Sequence, residues 1–145
     1  MKQTSKTAAA SPLPSRGAAD AKVTAEHVEL INLFGAGTRD HDQSEASAVR
    51  SVFGDRAAKI PVLCTKGSMG NNGAGAGAVD MAVMANAMHR GVVPPSLNTD
   101  AVDSDCGIHV VRGDPIDCRA NVAVSLAASL SGGQTAALVI RRWQP

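Results

Sequence analysis

The chain has 145 residues, 44% of them apolar, and a formal net charge of +1; that length and balance suit one globular domain of ordinary composition. There is no basic run, and two Phe, one Trp and no Tyr leave little to stack on bases, which argues against a nucleic-acid binder. No stretch of about eighteen apolar residues occurs, so no membrane-spanning helix is expected. Three cysteines, Cys64, Cys106 and Cys118, cannot all pair and lack Cys-x-x-Cys spacing, which points to a reducing, cytoplasmic setting.

In chain order, residues 1–18 hold Lys2, Lys6 and Arg16 with no acid, two prolines and much Ser, Thr and Ala, the composition of a flexible tail. A folded domain is expected over 19–145. Val28 to Leu33 reads as a strand leading into Phe34-Gly-Ala-Gly-Thr38. Thr38 to Phe53 reads as a helix, with Asp42 as N-cap, Glu45 completing a capping box, and Ala46, Ala48, Val49, Val52 and Phe53 on one side.

Ile60 to Lys66 is a short apolar run without helical period, hence a buried strand. After a stretch of small residues, Val79 to Met88 is interrupted only by Asp80 and Asn86, so its apolar surface wraps nearly all round and predicts a buried central helix. Arg90, Gly91 as a left-handed cap, and Pro94-Pro95 mark its end. Residues 107–112, 121–126 and 136–140 are further strand candidates. This order predicts a layered α/β domain. Pro12, Pro14 and the polar tail ahead of Val28 leave the sheet one strand short, with an open edge.

Several residue groups admit more than one role. Gly73-Ala-Gly75-Ala-Gly77-Ala78 fits a loose G-x-G-x-x-A fingerprint with Asp100 downstream, so a small nucleotide- or phosphate-binding domain is an alternative. The segment after the helix is a loop rather than the second parallel strand such a site needs, and glycines serving helix packing are the plainer account. His27, His41, His89 and His109 are scattered without ligand spacing, and no metal site is expected. Met81, Met84 and Met88, at helical spacing, suit core packing.

Thr65-Lys66, Gly70, Gly77-Ala78-Val79-Asp80 and Gly91-Val-Val-Pro-Pro-Ser-Leu-Asn98 resemble the C-terminal half of the β-ketoacyl-ACP synthases, which have the thiolase fold. That family runs Thr-Lys-Ser-x-x-Gly-His-x-x-Gly-Ala-Ala-Gly-Ala-Val-Glu and later x-Val-x-Pro-Pro-Thr-x-Asn at this place. Upstream, Ile31 to Thr38 follows its Asn-Ala-His-Gly-Thr-Gly-Thr, and Asp42 and Glu45 stand where it has an Asp and a Glu. Downstream, Gly132-Gly133 and Ala136 to Arg142 match its Gly-Gly-x-Asn-Ala-x-Leu-Val-Leu-Arg close. The resemblance covers Ala19 to Arg142.

It implies an α/β, thiolase-like half with a layered mixed sheet and a buried central helix. The family's two catalytic histidines fall at Phe34 and Asn71, neither of which can exchange a proton near neutral pH. The family lysine is retained as Lys66, either an ion-pair partner for Glu45 or Asp42 or a solvated strand-end lysine. The nucleophilic Cys belongs to the other half of the fold, and Cys64 does not match it. Thr38, Thr65, Gly70, Gly132 and Gly133 are the pocket residues carried over, and the family's gating Phe-Gly-Phe-Gly-Gly is here Ser129 to Gly133.

The resemblance thus implies a subunit with no catalytic residue and no cofactor, similar to a chain-length factor. Its partners would be an active ketosynthase and, through that complex, acyl carrier protein. Half of a split ketosynthase, active only with a partner, is a further alternative.

Overall fold

The computed structural model describes residues 22–129 and 133–143. The segment read as a tail, 1–18, and Gly132 lie outside them. Strands are β1 (Leu30–Leu33), β2 (Pro61–Cys64), β3 (Val92–Val93), β4 (His109–Val110), β5 (Ile116–Asp117), β6 (Val122–Ala128) and β7 (Thr135–Arg141). Helices are α1 (Arg39–Phe53), the single turn α2 (Lys66–Met69) and α3 (Ala76–Arg90).

One five-stranded sheet runs β4-β2-β1-β6-β7. β1 is parallel to β2 (Ile31 opposite Val62) and to β6 (Ile31 opposite Val124), β4 is parallel to β2, and β7 returns antiparallel to β6. Among the described residues the first strand therefore lies at the centre of the sheet, and the edges fall to β4 and β7 rather than to that first strand. Every residue of β1 is buried, as expected for a parallel strand covered on both faces.

Alternation along β1 divides the core. Ile31 and Leu33 join Val49 and Phe53 of α1, while Leu30 joins Met84, Ala87 and Met88 of α3. The molecule is thus a helix–sheet–helix sandwich, the expected α/β arrangement with a mixed sheet. Asn32, also fully buried, donates from Nδ2 to Ser125 Oγ at 3.2 Å, so the one polar residue of β1 is tied to its neighbour β6.

The helices depart from expectation in two ways. Thr38, with extended backbone, occupies the N-cap of α1. Asp42 and Glu45 lie about one and two turns further in and reach back to the loop before the helix, where three free amides outcompete a single capping bond. On α3, Ala76, Asp80, Met84, Ala87 and Met88 are buried, but Ala78, Met81, Ala82 and Ala85 face outward, Met81 being 41% exposed. An all-round apolar surface predicts burial on every side; among the described residues only the sheet side is covered.

The stop of α3 is as expected: Gly91 takes the left-handed conformation (φ 70°, ψ 25°) and its N–H bonds Ala87 O. Beyond it, Val92–Val93 pair antiparallel with Ile116–Asp117, a two-residue ladder too short to show a period in sequence.

Candidate functional site

The parallel strands β1 and β2 end side by side at Leu33 and Cys64, so the loops that follow them converge. Phe34, just past β1, is 6% exposed. Lys66, opening α2 after β2, lies with Nζ 4.9 Å from the centre of the Phe34 ring, within cation–π range. Its ammonium is 2.5 Å from Asp80 Oδ2 on α3, and the two side chains are 8% and 2% exposed. Thr65, also buried, donates from Oγ1 to the other Asp80 oxygen.

Lys66 is therefore neither a solvated lysine nor the ion-pair partner of Glu45 or Asp42. Asp80 holds it, because the carboxylate reaches Thr65 and Lys66 from α3 with both oxygens to satisfy. The sequence shows Asp80 as an acid in an apolar helix, at the place of the family's glutamate, without showing its partner; a buried carboxylate demands a cation and a hydrogen-bond donor, and Thr65-Lys66 supplies both.

Two further carboxylates brace the loop after β1. Glu45 accepts from Phe34 N at 2.7 Å and Gly35 N at 3.0 Å, and Asp42 accepts from Gly37 N at 3.2 Å. Burial pushes the Glu45 carboxyl above the usual glutamate range, against the pull of the Gly35 and Phe34 amides. Burial raises Asp42 as well, against its amide bonds to Gly37 and Ala36. The same desolvation, with the charges of Glu45 and Asp42, pushes the Cys64 thiol up to about 12. Burial also raises Cys106 and Cys118, so each of the three thiols is held in its protonated, weakly nucleophilic form.

The remaining sequence-derived positions are not gathered with these. Asn71 is exposed after α2, its Oδ1 accepting from Gly73 N at 3.1 Å. Thr38 is exposed, with Oγ1 3.0 Å from His41 Nδ1. Gly70 closes α2 with φ 71° and Gly133 has φ 62°. The glycines of the loose fingerprint form a short 3-10 turn, Gly73–Gly75, entering α3; α2, not a strand, precedes it, which removes the strand–turn context a dinucleotide needs.

A cavity of about 560 Å³ opens beyond the carboxyl ends of β1 and β2, lined among others by Gly35, Glu45, Cys64, Asn98, Asp103 and Cys106. Phe34, Lys66 and Asn71 do not line it. Among the described residues no group of three or more His, Cys, Asp or Glu could hold a metal ion, and no helix is long and apolar enough to cross a membrane. What the cluster around Lys66 can do is hold a buried positive charge beside an aromatic ring; it contains no imidazole to donate to a developing oxyanion.

Residues 2–100 match the family described as Beta-ketoacyl synthase, C-terminal domain. The chain is 36% identical over 124 residues to Nodulation protein E of Rhizobium meliloti, covering 86% of this chain and 31% of that protein. It is 31% identical over 121 residues to the tetracenomycin polyketide synthase ketoacyl synthase alpha subunit of Streptomyces glaucescens, covering 83% and 28%. Among solved structures, the ishigamide ketosynthase/chain length factor superposes with a TM-score of 0.81 at 25% identity over 88% of this chain and 31% of that one. The chain thus spans under a third of the length of these relatives. A family match over more than half of the chain, carried on a sheet and helices that superpose on a ketosynthase, makes this chain a member of the β-ketoacyl synthase family, matching its C-terminal domain.

Proposed function

We infer that the chain is a ketosynthase-like subunit of the chain-length-factor type, one that performs no condensation by itself. It pairs with an active β-ketoacyl synthase in polyketide or fatty-acid-type assembly, with acyl carrier protein meeting the complex. The observation that carries this is Phe34. At the family's first histidine position stands a buried ring with no donor, packed under an ammonium that Asp80 already neutralises. Asn71, at the second position, has an amide that cannot exchange a proton near neutral pH. Loss of a single oxyanion donor costs roughly a hundred- to a thousandfold in rate, and here both histidines are replaced. None of the three cysteines offers a thiolate in their place.

The likeness to a ketosynthase/chain length factor structure supports a partnered rather than solitary role, and the outward face of α3 offers a surface for the partner. The test is co-expression with a ketosynthase from the same host, followed by a condensation assay. The expected result is co-purification, no malonyl-ACP decarboxylation or condensation by the chain alone, and product from the pair that survives Lys66→Met/Asp80→Leu, which removes the lysine without stranding the buried Asp80 carboxylate. Turnover by the purified chain, lost on Lys66→Met or Cys64→Ala, would show it to be an enzyme in its own right. Product from the pair that disappears on Lys66→Met/Asp80→Leu while the complex still co-purifies would favour a split active site.

A further inference from the structure

Residues 98–107 cross the cavity as a strap with little structure of its own beyond one 3-10 turn, Ser104–Cys106. Asn98, Asp100, Val102, Asp103 and Cys106 from it line the cavity. Both ends lie in the left-handed region, Asn98 at φ 54° and Gly107 at φ 58°, while the flanking Ser96 is anchored by Ser96 N to Val111 O at 2.8 Å.

Side chains tie the strap to the body. Gln43 Nε2 on α1 donates to Asp103 Oδ2 at 3.3 Å, Arg50 Nη1 on α1 donates to Asp105 O at 2.8 Å and to Cys106 O, and Arg112 Nη1 donates to Asp100 O at 2.7 Å. Asn98 Nδ2 donates to Gly67 O at 2.5 Å. Most of the strap is exposed and its single buried residue is Cys106. A segment with few buried apolar contacts, held by polar ties at its middle, opens at lower cost than the sheet beneath it, and backbone changes concentrate at element-terminal residues such as these two ends.

We propose that residues 98–107 form a lid, hinged at Asn98 and Gly107 and latched to α1 by Arg50 and Gln43, that controls entry to the cavity beyond β1 and β2. Opening swings the 3-10 turn away from α1 and uncovers Cys106, whereas Cys118, which packs with the α3 side of the core, stays as it was. The latch is the guanidinium: losing a charged donor shared by two carbonyls shifts the closed–open balance on the order of tenfold.

The test is alkylation of the full chain, in the assembly in which it purifies, by N-ethylmaleimide under native conditions, with each cysteine followed by peptide mass spectrometry. Arg50→Ala should raise the Cys106 rate on the order of tenfold and Gln43→Ala a few-fold, with the Cys118 rate unchanged in both. Should Arg50→Ala loosen the whole fold, Gln43→Ala, which removes one exposed bond, decides. A Cys106 rate at the parent value in both variants, or one that in Gln43→Ala rises only by the factor seen at Cys118, overturns the lid.

Discussion

Lys66 and Asp80 share a buried site in which each is the other's only charged partner among the described residues. Breaking such a pair leaves an uncompensated charge, costing about 3–5 kcal/mol, whereas an apolar replacement of both is often neutral. Asp80→Asn is therefore expected to lower the unfolding free energy by about 3 kcal/mol or more, and Lys66→Met/Asp80→Leu to recover most of it, as read from urea unfolding midpoints. A Lys66→Met/Asp80→Leu chain as unstable as Asp80→Asn would mean that the geometry, not the charge, matters.

Glu45 makes a separate prediction at this scale. Burial raises its folded carboxyl above the usual glutamate value, which is about 4.3 in an unfolded chain. Above that value the unfolded chain has released a proton that the folded chain still holds, so the folded state binds more protons and stability falls as pH rises through the window. Below it both states are protonated and the full stability is present. Asp42 is shifted in the same direction, so Glu45→Gln is expected to flatten the fall without abolishing it. Thermal midpoints of parent and variant across the acid-to-neutral range check this; parallel curves would remove Glu45 as the cause.

At the scale of elements, α2 and the turn after Pro95 are fitted to one another through Gly67. A Cβ built there would lie 2.0 Å from Leu97 O, and Asn98 closes the same contact on Gly67 O. Gly67→Ala is expected to cost about 1–3 kcal/mol, the usual range for overpacking. Gly75, with nothing near its missing Cβ and φ −82°, supplies the control: Gly75→Ala should be neutral or stabilise by up to about 1 kcal/mol through the unfolded chain. Chemical denaturation of both variants reads the difference, and equal effects would show that Leu97 yields freely.

Among the described residues, one side of the whole molecule is incompletely covered. Ala78, Met81, Ala82 and Ala85 present an uncharged outer stripe on α3, and Met69 and Leu97 are exposed as well, at 47% and 51%. Apolar surface left in water forgoes roughly 25 cal/mol per Å², and small side chains allow a second backbone to come close. Expressed alone, the chain is expected to sediment as a mixture of associating species, and with a ketosynthase as one defined complex that Met81→Glu weakens. A monodisperse, cooperatively melting monomer would show that the fold closes without a partner.

The sequence by itself determined the elements that local chemistry controls. β1, β2, β6 and β7 follow from apolar runs, the stop of α3 from Gly91 and the prolines, and the family from Thr65-Lys66, the small-residue stretch and the Pro-Pro-Ser-Leu-Asn segment. Those signals are local because backbone sterics and side-chain period act over a few residues. Partnership was not legible in this way. That Lys66 meets Asp80 rather than Glu45, that Asp42 and Glu45 turn back to the amides of residues 34–37 instead of capping a helix, and that α3 is covered on one face only among the described residues, all depend on how α1 and α3 sit across the sheet. A charge or an amide is satisfied by whichever group packing brings within reach, and only the tertiary structure sets that distance.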